Sequence, residues 1–137
     1  MRLEVLPANY AGCPTHPGGH AAGDVASDNG TLALSMRGGL VVRTFTDNPA
    51  GWPGGAVVVL FTNGQLGIYG HVAADSSIVV NQTLLKPGGV VGAVAWDNHI
   101  HYELIDHLPF ALPANSAGYQ RVNPVPLLLE LRERAKQ

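Results

Sequence analysis

The chain has 137 residues and a formal net charge of −2; 46% of the residues are hydrophobic and 13% are charged. This length fits one domain with its own core, and this composition excludes an intrinsically disordered chain. The small negative charge argues against a nucleic-acid partner, and no apolar run approaches the ~18 residues expected of a membrane span. The single cysteine, Cys13, excludes an internal disulfide. We find no export signal and no membrane anchor in the sequence.

Short β-prone runs alternate with turn residues along most of the chain, which carries 17 glycines and 10 prolines. This pattern is typical of an all-β domain, here a mainly antiparallel sheet or sandwich. We predict strands at Leu32–Met36, Leu40–Thr46, Ala56–Thr62, Gln65–Val72, Ser77–Val80, Val90–Ala95 and His99–Ile105.

Two local signals refine this prediction. Asn63-Gly64 favours a two-residue turn, since both residues tolerate positive φ, so Ala56–Thr62 and Gln65–Val72 should pair antiparallel. A short C-terminal helix is predicted at residues 126–137, because Pro126 suits a first helical turn. One apolar face of this helix is formed by Leu127, Leu128 and Leu131.

His99 and His101 lie on either side of Ile100 in a predicted strand. Side chains two residues apart point to the same face of a strand, roughly 6.6 Å apart. A zinc–nitrogen bond is only about 2.0–2.1 Å long, so one imidazole could bind a metal while the other reaches a water molecule beside it. Two exposed strand histidines without a metal are the alternative interpretation.

A second group of candidate residues lies earlier in the chain. His20 and Asp24 would be about 13 Å apart on an extended strand, but Gly23 between them makes a bend plausible. His71 ends a predicted hairpin strand, and Tyr69, two residues before it, is expected on the same face. Taken alone, His-x-x-x-Asp occurs by chance in many loops, and a lone strand histidine is more often structural.

The order of these motifs carries a family resemblance. His20…Asp24, Tyr69-Gly70-His71 and His99-Ile100-His101 follow one another as the signatures of the lysostaphin/LytM-type zinc metallopeptidases do. The chain resembles this family over roughly residues 18–128, including its surrounding segments Gly30–Leu34, Leu85–Gly92, His99–Glu103 and Asn123-Pro124. It differs at residues 92–98, which are shorter than the family's Gly/Ser/Thr-rich loop before His-x-His. This difference predicts a trimmed wall of the substrate groove.

The resemblance implies a site as well as a fold. One Zn²⁺ per chain would be held by His20, Asp24 and His101. Two imidazoles and one carboxylate leave a fourth position open for a water molecule, as in catalytic zinc sites. His71 and His99 would be the catalytic pair: one takes the proton of the attacking water, and the other stabilises the oxyanion or protonates the leaving amine.

Supporting residues and boundaries also follow from the resemblance. Glu103 and Tyr69 are candidates to orient the residues of the site, although a solvated strand carboxylate is an equal alternative for Glu103. We expect an N-terminal segment at residues 1–17, a metallopeptidase domain with a narrow groove at residues 18–128, and the C-terminal helix at residues 126–137.

The implied activity is zinc-dependent hydrolysis of peptide cross-links in bacterial peptidoglycan, performed by a monomer outside the cytoplasm, in the cell wall or periplasm. Phage origin is compatible with the same activity. A different class of function is a catalytically inactive relative that serves as a cell-wall binding or structural module, for example in an envelope complex or a phage tail. Cupins are a poorer match, because Glu103 follows His101 after one residue rather than three or four.

Overall fold

A computed structural model of the chain describes residues 4–5, 22–105, 121–122 and 125–134. The elements in chain order are β1 (Glu4–Val5), β2 (Gly23–Ala26), β3 (Leu32–Leu34), β4 (Gly39–Phe45), β5 (Ala56–Phe61), β6 (Leu66–Gly70), β7 (Val72–Ala74), β8 (Leu84–Leu85), β9 (Val90–Val94), β10 (His99–Ile105), β11 (Arg121–Val122) and α1 (Val125–Arg134).

Antiparallel strands form two sheets. The larger sheet has the order β1-β2-β10-β6-β5-β4-β8, with β11 also paired to β10, and the smaller sheet has the order β3-β9-β7. Strand β10 therefore lies between β2 and β6, although β2 is distant from it in sequence. The predicted fold class, a mainly antiparallel all-β domain with one short helix, is confirmed for the described part of the chain.

The core lies where side chains of both sheets meet. It takes Val25 from β2, Ala33 from β3, Val91 from β9 and Tyr102 from β10, and Leu128 of α1 packs into it. On β10 the side chains alternate between the two faces of the sheet. Ile100, Tyr102 and Leu104 face this core, whereas His99, His101 and Glu103 lie on the opposite face.

The predicted strands overlap observed strands with one exception, Ser77–Val80, which is wrong. The carboxylate of Asp75 accepts hydrogen bonds from the amide and the hydroxyl of Ser77, and the amide of Ile78 donates to the carbonyl of Asp75 over 3.0 Å. These local bonds form a turn and compete with strand pairing. The predicted strand Gln65–Val72 ends early, because His71 has a φ of 64° and the chain passes there into the smaller sheet.

The β5–β6 hairpin is confirmed, but its turn differs from the prediction. Ala56 pairs with Gly70 and Leu60 with Leu66. Of the two predicted turn residues, Asn63 and Gly64, only Gly64 has a positive φ, at 89°. The amide of Gly64 donates to the carbonyl of Phe61 over 3.0 Å. The turn therefore contains three residues and ends in a left-handed glycine, the second common hairpin solution.

The helix α1 begins one residue before the predicted start, at Val125. It is 10 residues long, and no described helix is long and apolar enough to cross a membrane. Leu128 is buried and Leu127 packs partly against the core, as the predicted apolar face requires. The predicted N-terminal segment, residues 1–17, lies almost wholly outside the described residues, and the domain boundaries stay predictions.

Candidate active site

Strand pairing brings Asp24 beside His101. The two residues are direct partners in the β2–β10 register, so their side chains lie on the same face of the sheet. Oδ1 of Asp24 lies 3.6 Å from Nδ1 of His101. This distance is too long for a direct hydrogen bond. It fits two donors of one tetrahedral ion, because metal–donor bonds of about 2.0–2.2 Å separate neighbouring donors by roughly 3.4 Å.

The other nitrogen of His101 faces a second carboxylate. Nε2 of His101 lies 3.6 Å from Oε2 of Glu103, and the side chain of Glu103 is only 5% exposed. A metal-binding imidazole commonly turns its remaining nitrogen towards a carboxylate, which fixes the tautomer and the ring orientation. The structure thus places Glu103 next to His101 and inside the protein, not on a solvated face of the strand.

His71 stands at the junction of β6 and β7, with an unusual backbone conformation. Its φ of 64° is in the left-handed region, which is uncommon for residues other than glycine, although Asn, Asp and His adopt it more often than the rest. The amide of His71 donates to the carbonyl of Gly55 over 2.9 Å, and its carbonyl accepts from the amide of Ala95 over 2.9 Å. These bonds hold the strained residue in place, as is frequent at functional sites.

Backbone carbonyls fix the tautomers of two histidines. Nδ1 of His71 lies 2.8 Å from the carbonyl oxygen of Pro53, and Nδ1 of His99 lies 2.9 Å from that of Asp97. A carbonyl can only accept, so Nδ1 donates in each case. In the neutral form of both rings, Nε2 then carries the lone pair and is available as a proton acceptor.

The three described histidines of the motifs form one cluster of rings. The ring centroid of His71 lies 4.8 Å from that of His99 and 5.8 Å from that of His101. Burial lowers the pKa of His71 to about 4, and the hydrogen bond to the Pro53 carbonyl opposes this shift. His71 is therefore neutral at pH 7. The carboxylate of Asp97 lies 4.0 Å from Nδ1 of His99, on the exposed side of the cluster.

Tyr69, the other proposed supporting residue, lies on the opposite face of the sheet. Its ring packs edge-on against Tyr102 in the core, with centroids 5.2 Å apart, and its hydroxyl accepts a hydrogen bond from the amide of Met36 over 2.9 Å. Burial raises the pKa of Tyr69 to about 12. The alternation of β6 explains the difference from the expected position beside His71, because the left-handed turn at His71 breaks the period of two after Gly70.

The third predicted metal ligand, His20, lies outside the described residues. Among the residues that the structure does describe, no group of three or more His, Cys, Asp or Glu side chains could hold a metal ion. Asp24 and His101 supply two donors of types that zinc accepts, a carboxylate oxygen and an imidazole nitrogen. The described donors therefore fit zinc but need a further ligand, the position that the sequence motif gives to His20.

Comparison with known proteins finds similar structures but no similar sequences. No protein-family model and no curated protein matches the chain. The catalytic domain of the antimicrobial peptidase lysostaphin from Staphylococcus simulans is similar in structure, with a TM-score of 0.63 and 17% identity, over 82% of this chain and 81% of that one. The chain has the fold of the lysostaphin-type peptidases.

Two further solved structures share this lysostaphin-type fold. The solution structure of lysostaphin gives a TM-score of 0.71 and 21% identity, over 93% of this chain but 50% of that one. A zinc-containing peptidase from Vibrio cholerae gives a TM-score of 0.57 and 18% identity, over 80% of this chain and 37% of that one. The chain thus spans half or less of the length of these two proteins.

Within the lysostaphin-type fold, two tryptophans border the histidines, and the sequence motifs did not identify them. The Trp52 ring lies 5.7 Å from His101, and the Trp96 ring lies 4.5 Å from His71. A Cβ at Gly70 would come within 2.6 Å of Trp52, so this glycine allows Trp52 to reach His101. The only available signals were the position of Trp96 three residues before His99 and the turn residues that follow Trp52.

Proposed function

We propose that the chain is a zinc-dependent endopeptidase that hydrolyses peptide cross-links of bacterial peptidoglycan and acts outside the cytoplasm. The observation that carries this proposal is the juxtaposition of Asp24 and His101, with donor atoms 3.6 Å apart, beside the ring cluster of His71 and His99. The fold shared with lysostaphin, an antimicrobial peptidase, supports the reaction class. The order of the sequence motifs supports peptidoglycan as the substrate.

We assign the metal to His20, Asp24 and His101, with Glu103 orienting His101. A bound Zn²⁺ supplies a Lewis acid that polarises the scissile carbonyl and lowers the pKa of a bound water molecule towards about 7. Oε2 of Glu103 lies 3.6 Å from Nε2 of His101, on the side away from Asp24, and its charge would orient the ring when the metal is bound. In the present orientation, Nδ1 of His101 and Oδ1 of Asp24 are 3.6 Å apart, a separation that suits two ligands of one ion.

The two remaining histidines divide the proton transfers between them. His71 is neutral, and its Nδ1–H donates to Pro53, so its Nε2 can accept the proton of the attacking water. The ring of His99 is held by the hydrogen bond from its Nδ1 to the carbonyl of Asp97, on the side of the cluster where the exposed carboxylate of Asp97 lies. We therefore assign proton acceptance to His71, and stabilisation of the oxyanion with protonation of the leaving amine to His99.

The test is a measurement of bound zinc together with hydrolysis of purified peptidoglycan. We expect one zinc per chain and release of soluble fragments that carry new amino termini, detected by mass spectrometry. A chelator should abolish the release, and added zinc should restore it. Binding to peptidoglycan without hydrolysis, with or without zinc, would instead identify an inactive binding or structural module.

The ligand assignment has its own control. Asp24→Ala should lower zinc occupancy, because it removes one of the donors. Asp28→Ala removes an exposed carboxylate four residues further along the chain and should leave zinc occupancy unchanged. Equal occupancy in the two variants would remove Asp24 from the ligand set.

A further inference from the structure

Trp96 lies beside the proposed catalytic histidines, but the proposed reaction gives its indole no role. Its ring centroid lies 4.5 Å from that of His71 and 5.9 Å from that of His99, yet 42% of the residue is exposed to solvent. A peptide whose scissile bond comes within hydrogen-bond distance of the two histidines would therefore lie close to this indole. A large exposed aromatic surface at such a point is typical of a binding residue.

Trp96 is held in position by the segments on both sides of it. A Cβ at Gly54 would lie 2.9 Å from Cβ of Trp96, so the two backbones pack together closely only because residue 54 is glycine. Beyond Trp96, Asp97 and Asn98 adopt left-handed φ values of 52° and 51°. Because its surroundings are already ordered, Trp96 would lose little conformational freedom when a substrate binds.

Asn98 anchors this segment to the β2–β3 connection. Its amide donates to Oδ1 of Asn29 over 3.0 Å, and its own Oδ1 accepts from the amide of Asn29 over 2.9 Å. The carbonyl of Asn98 also accepts from the amide of Ser27 over 3.0 Å. The turn that follows Trp96 is therefore tied to the neighbouring part of the larger sheet.

Trp52, whose ring lies 5.7 Å from that of His101 and 6.3 Å from that of His71, has a different environment. Its ring lies 6.4 Å from Phe45 and packs against a buried cluster that contains Ile68 and Ile105. This packing accounts for Trp52 as a residue that supports His101. No comparable cluster of buried apolar residues includes Trp96 among the residues described.

We propose that Trp96 contacts the substrate, packing its indole face against the peptide next to the bond that is cut, on the side of His71 and His99. The proposal rests on the proposed peptidase function and assigns one residue of its substrate specificity. The contact is made to uncharged main chain and apolar side chains of the peptide, since dispersion and burial of the indole provide it. Trp96 thus sets the affinity for the substrate, and the histidines perform the chemistry.

Steady-state hydrolysis of soluble peptidoglycan fragments tests this role. Burial of the exposed part of an indole corresponds to roughly tenfold or more in affinity, so Trp96→Ala should raise KM by about that factor with little change in kcat. Trp96→Phe should recover most of the loss, because it keeps an aromatic face. Leu84→Ala, which shortens a side chain that is 76% exposed on the far edge strand β8, should change neither constant.

A fall in kcat at constant KM, in both Trp96 variants, would overturn the proposal, because Trp96 would then act by holding the His71 ring. Thermal unfolding and zinc content of each variant separate this outcome from a general loss of structure. Trp96→Phe provides the decisive kinetic result if Trp96→Ala is not stably folded.

Fluorescence separates failure of this proposal from failure of the proposed function. The chain has two tryptophans, so Trp52→Phe leaves Trp96 as the only indole and Trp96→Phe leaves Trp52 as the only one. Titration with the same peptidoglycan fragments should shift the emission of the Trp52→Phe variant much more than that of the Trp96→Phe variant. If the wild type binds the fragments without cleaving them, the peptidase function is wrong, but this titration still tests whether Trp96 contacts the peptide. Binding that leaves the Trp96 emission unchanged would refute the contact.

Discussion

The two faces of the larger sheet differ most clearly along strand β10. Towards the smaller sheet, Ile100 and Tyr102 are 0% and 2% exposed among other apolar side chains. On the opposite face, Glu103 is also buried and His101 is mostly buried, but they lie next to the carboxylate of Asp24 and the imidazole of His71. Burial of apolar groups stabilises a fold, whereas burial of charged groups costs free energy unless they are paired or bind an ion. The two faces therefore differ in what their burial does: the apolar face stabilises the fold, whereas the polar face requires pairing or a bound ion.

The largest expected effect comes from the proposed catalytic pair on the polar face, His71 and His99. His99→Ala and His71→Asn should each lower the rate of peptidoglycan hydrolysis by about 10²–10⁴, the usual contribution of a general acid or base. Asn is chosen at position 71 because it tolerates the left-handed φ of 64°. Zinc content and the melting temperature should stay near the wild-type values.

Rates of fragment release, measured at equal zinc occupancy, test this prediction. A variant that keeps the wild-type rate would show that the ring cluster is not the catalytic centre. If a variant has both a lower rate and a lower melting temperature, the histidine contributes to the stability of the fold.

Ile100→Ala should have the opposite signature on the apolar face of the same strand. Removing a fully buried aliphatic side chain is expected to cost about 2–5 kcal/mol in the free energy of unfolding. The folded fraction should still bind zinc, because the side chain points away from His101. Denaturant unfolding compares this variant with Val79→Ala, which shortens a side chain that is 50% exposed. Similar free energies for both variants would contradict the assigned core.

Glu103→Gln lies between these extremes, since Glu103 is buried like a core residue but belongs to the polar face. The substitution keeps the size of the side chain and removes the charge opposite Nε2 of His101. Loss of such a supporting carboxylate typically weakens metal binding by 10–100-fold. Competition with a chelator measures the affinity, and Glu130→Gln on the exposed side of α1 is the control. Equal zinc affinities would reduce Glu103 to a packing role.

The apolar face was largely predictable from the sequence, whereas the polar face was predictable only in part. Short β-prone runs bounded by turn residues identified β10 and the β5–β6 hairpin, because such runs are a local property of the chain. Strand β2 carries no such signal: Gly23 and Asp24 are poor strand formers. The pairing of Asp24 with His101 depends on contacts between distant segments, so only the family motif indicated it.

The positions of Trp52 and Trp96 beside the histidines could not be predicted from the sequence either. Each sits in a connection between strands, and its contact with a histidine depends on close approach at a glycine: at Gly70 for Trp52, and at Gly54 for Trp96. Glycine in a sequence indicates a turn as readily as a close contact. The sequence therefore offered no means to decide which of its 17 glycines make room for a functional aromatic residue.

The smallest expected effect concerns the pH dependence of stability. It measures how much the burial of a titratable group on the polar face costs, for comparison with the apolar face. The pKa of His71 is about 4 in the folded chain, chiefly because of burial, against an ordinary value of 6.5. His99 and His101 also lower the pKa, whereas the Pro53 carbonyl and Asp97 raise it. Between pH 6.5 and 4 the unfolded chain binds a proton that the folded chain does not. The contribution of His71 to stability is thus complete above pH 6.5 and is lost as the pH falls towards 4.

His71→Asn should flatten this dependence, because it removes the titrating group and keeps a short polar side chain. We expect the melting temperature of the metal-free protein to fall less between pH 7 and pH 4.5 in the variant than in the wild type. Excess chelator in every sample keeps zinc release from contributing to the difference. Parallel curves for the two proteins would show that the His71 ring titrates in the folded chain much as it does in water. The polar face would then be far more open to solvent than the apolar face behind it.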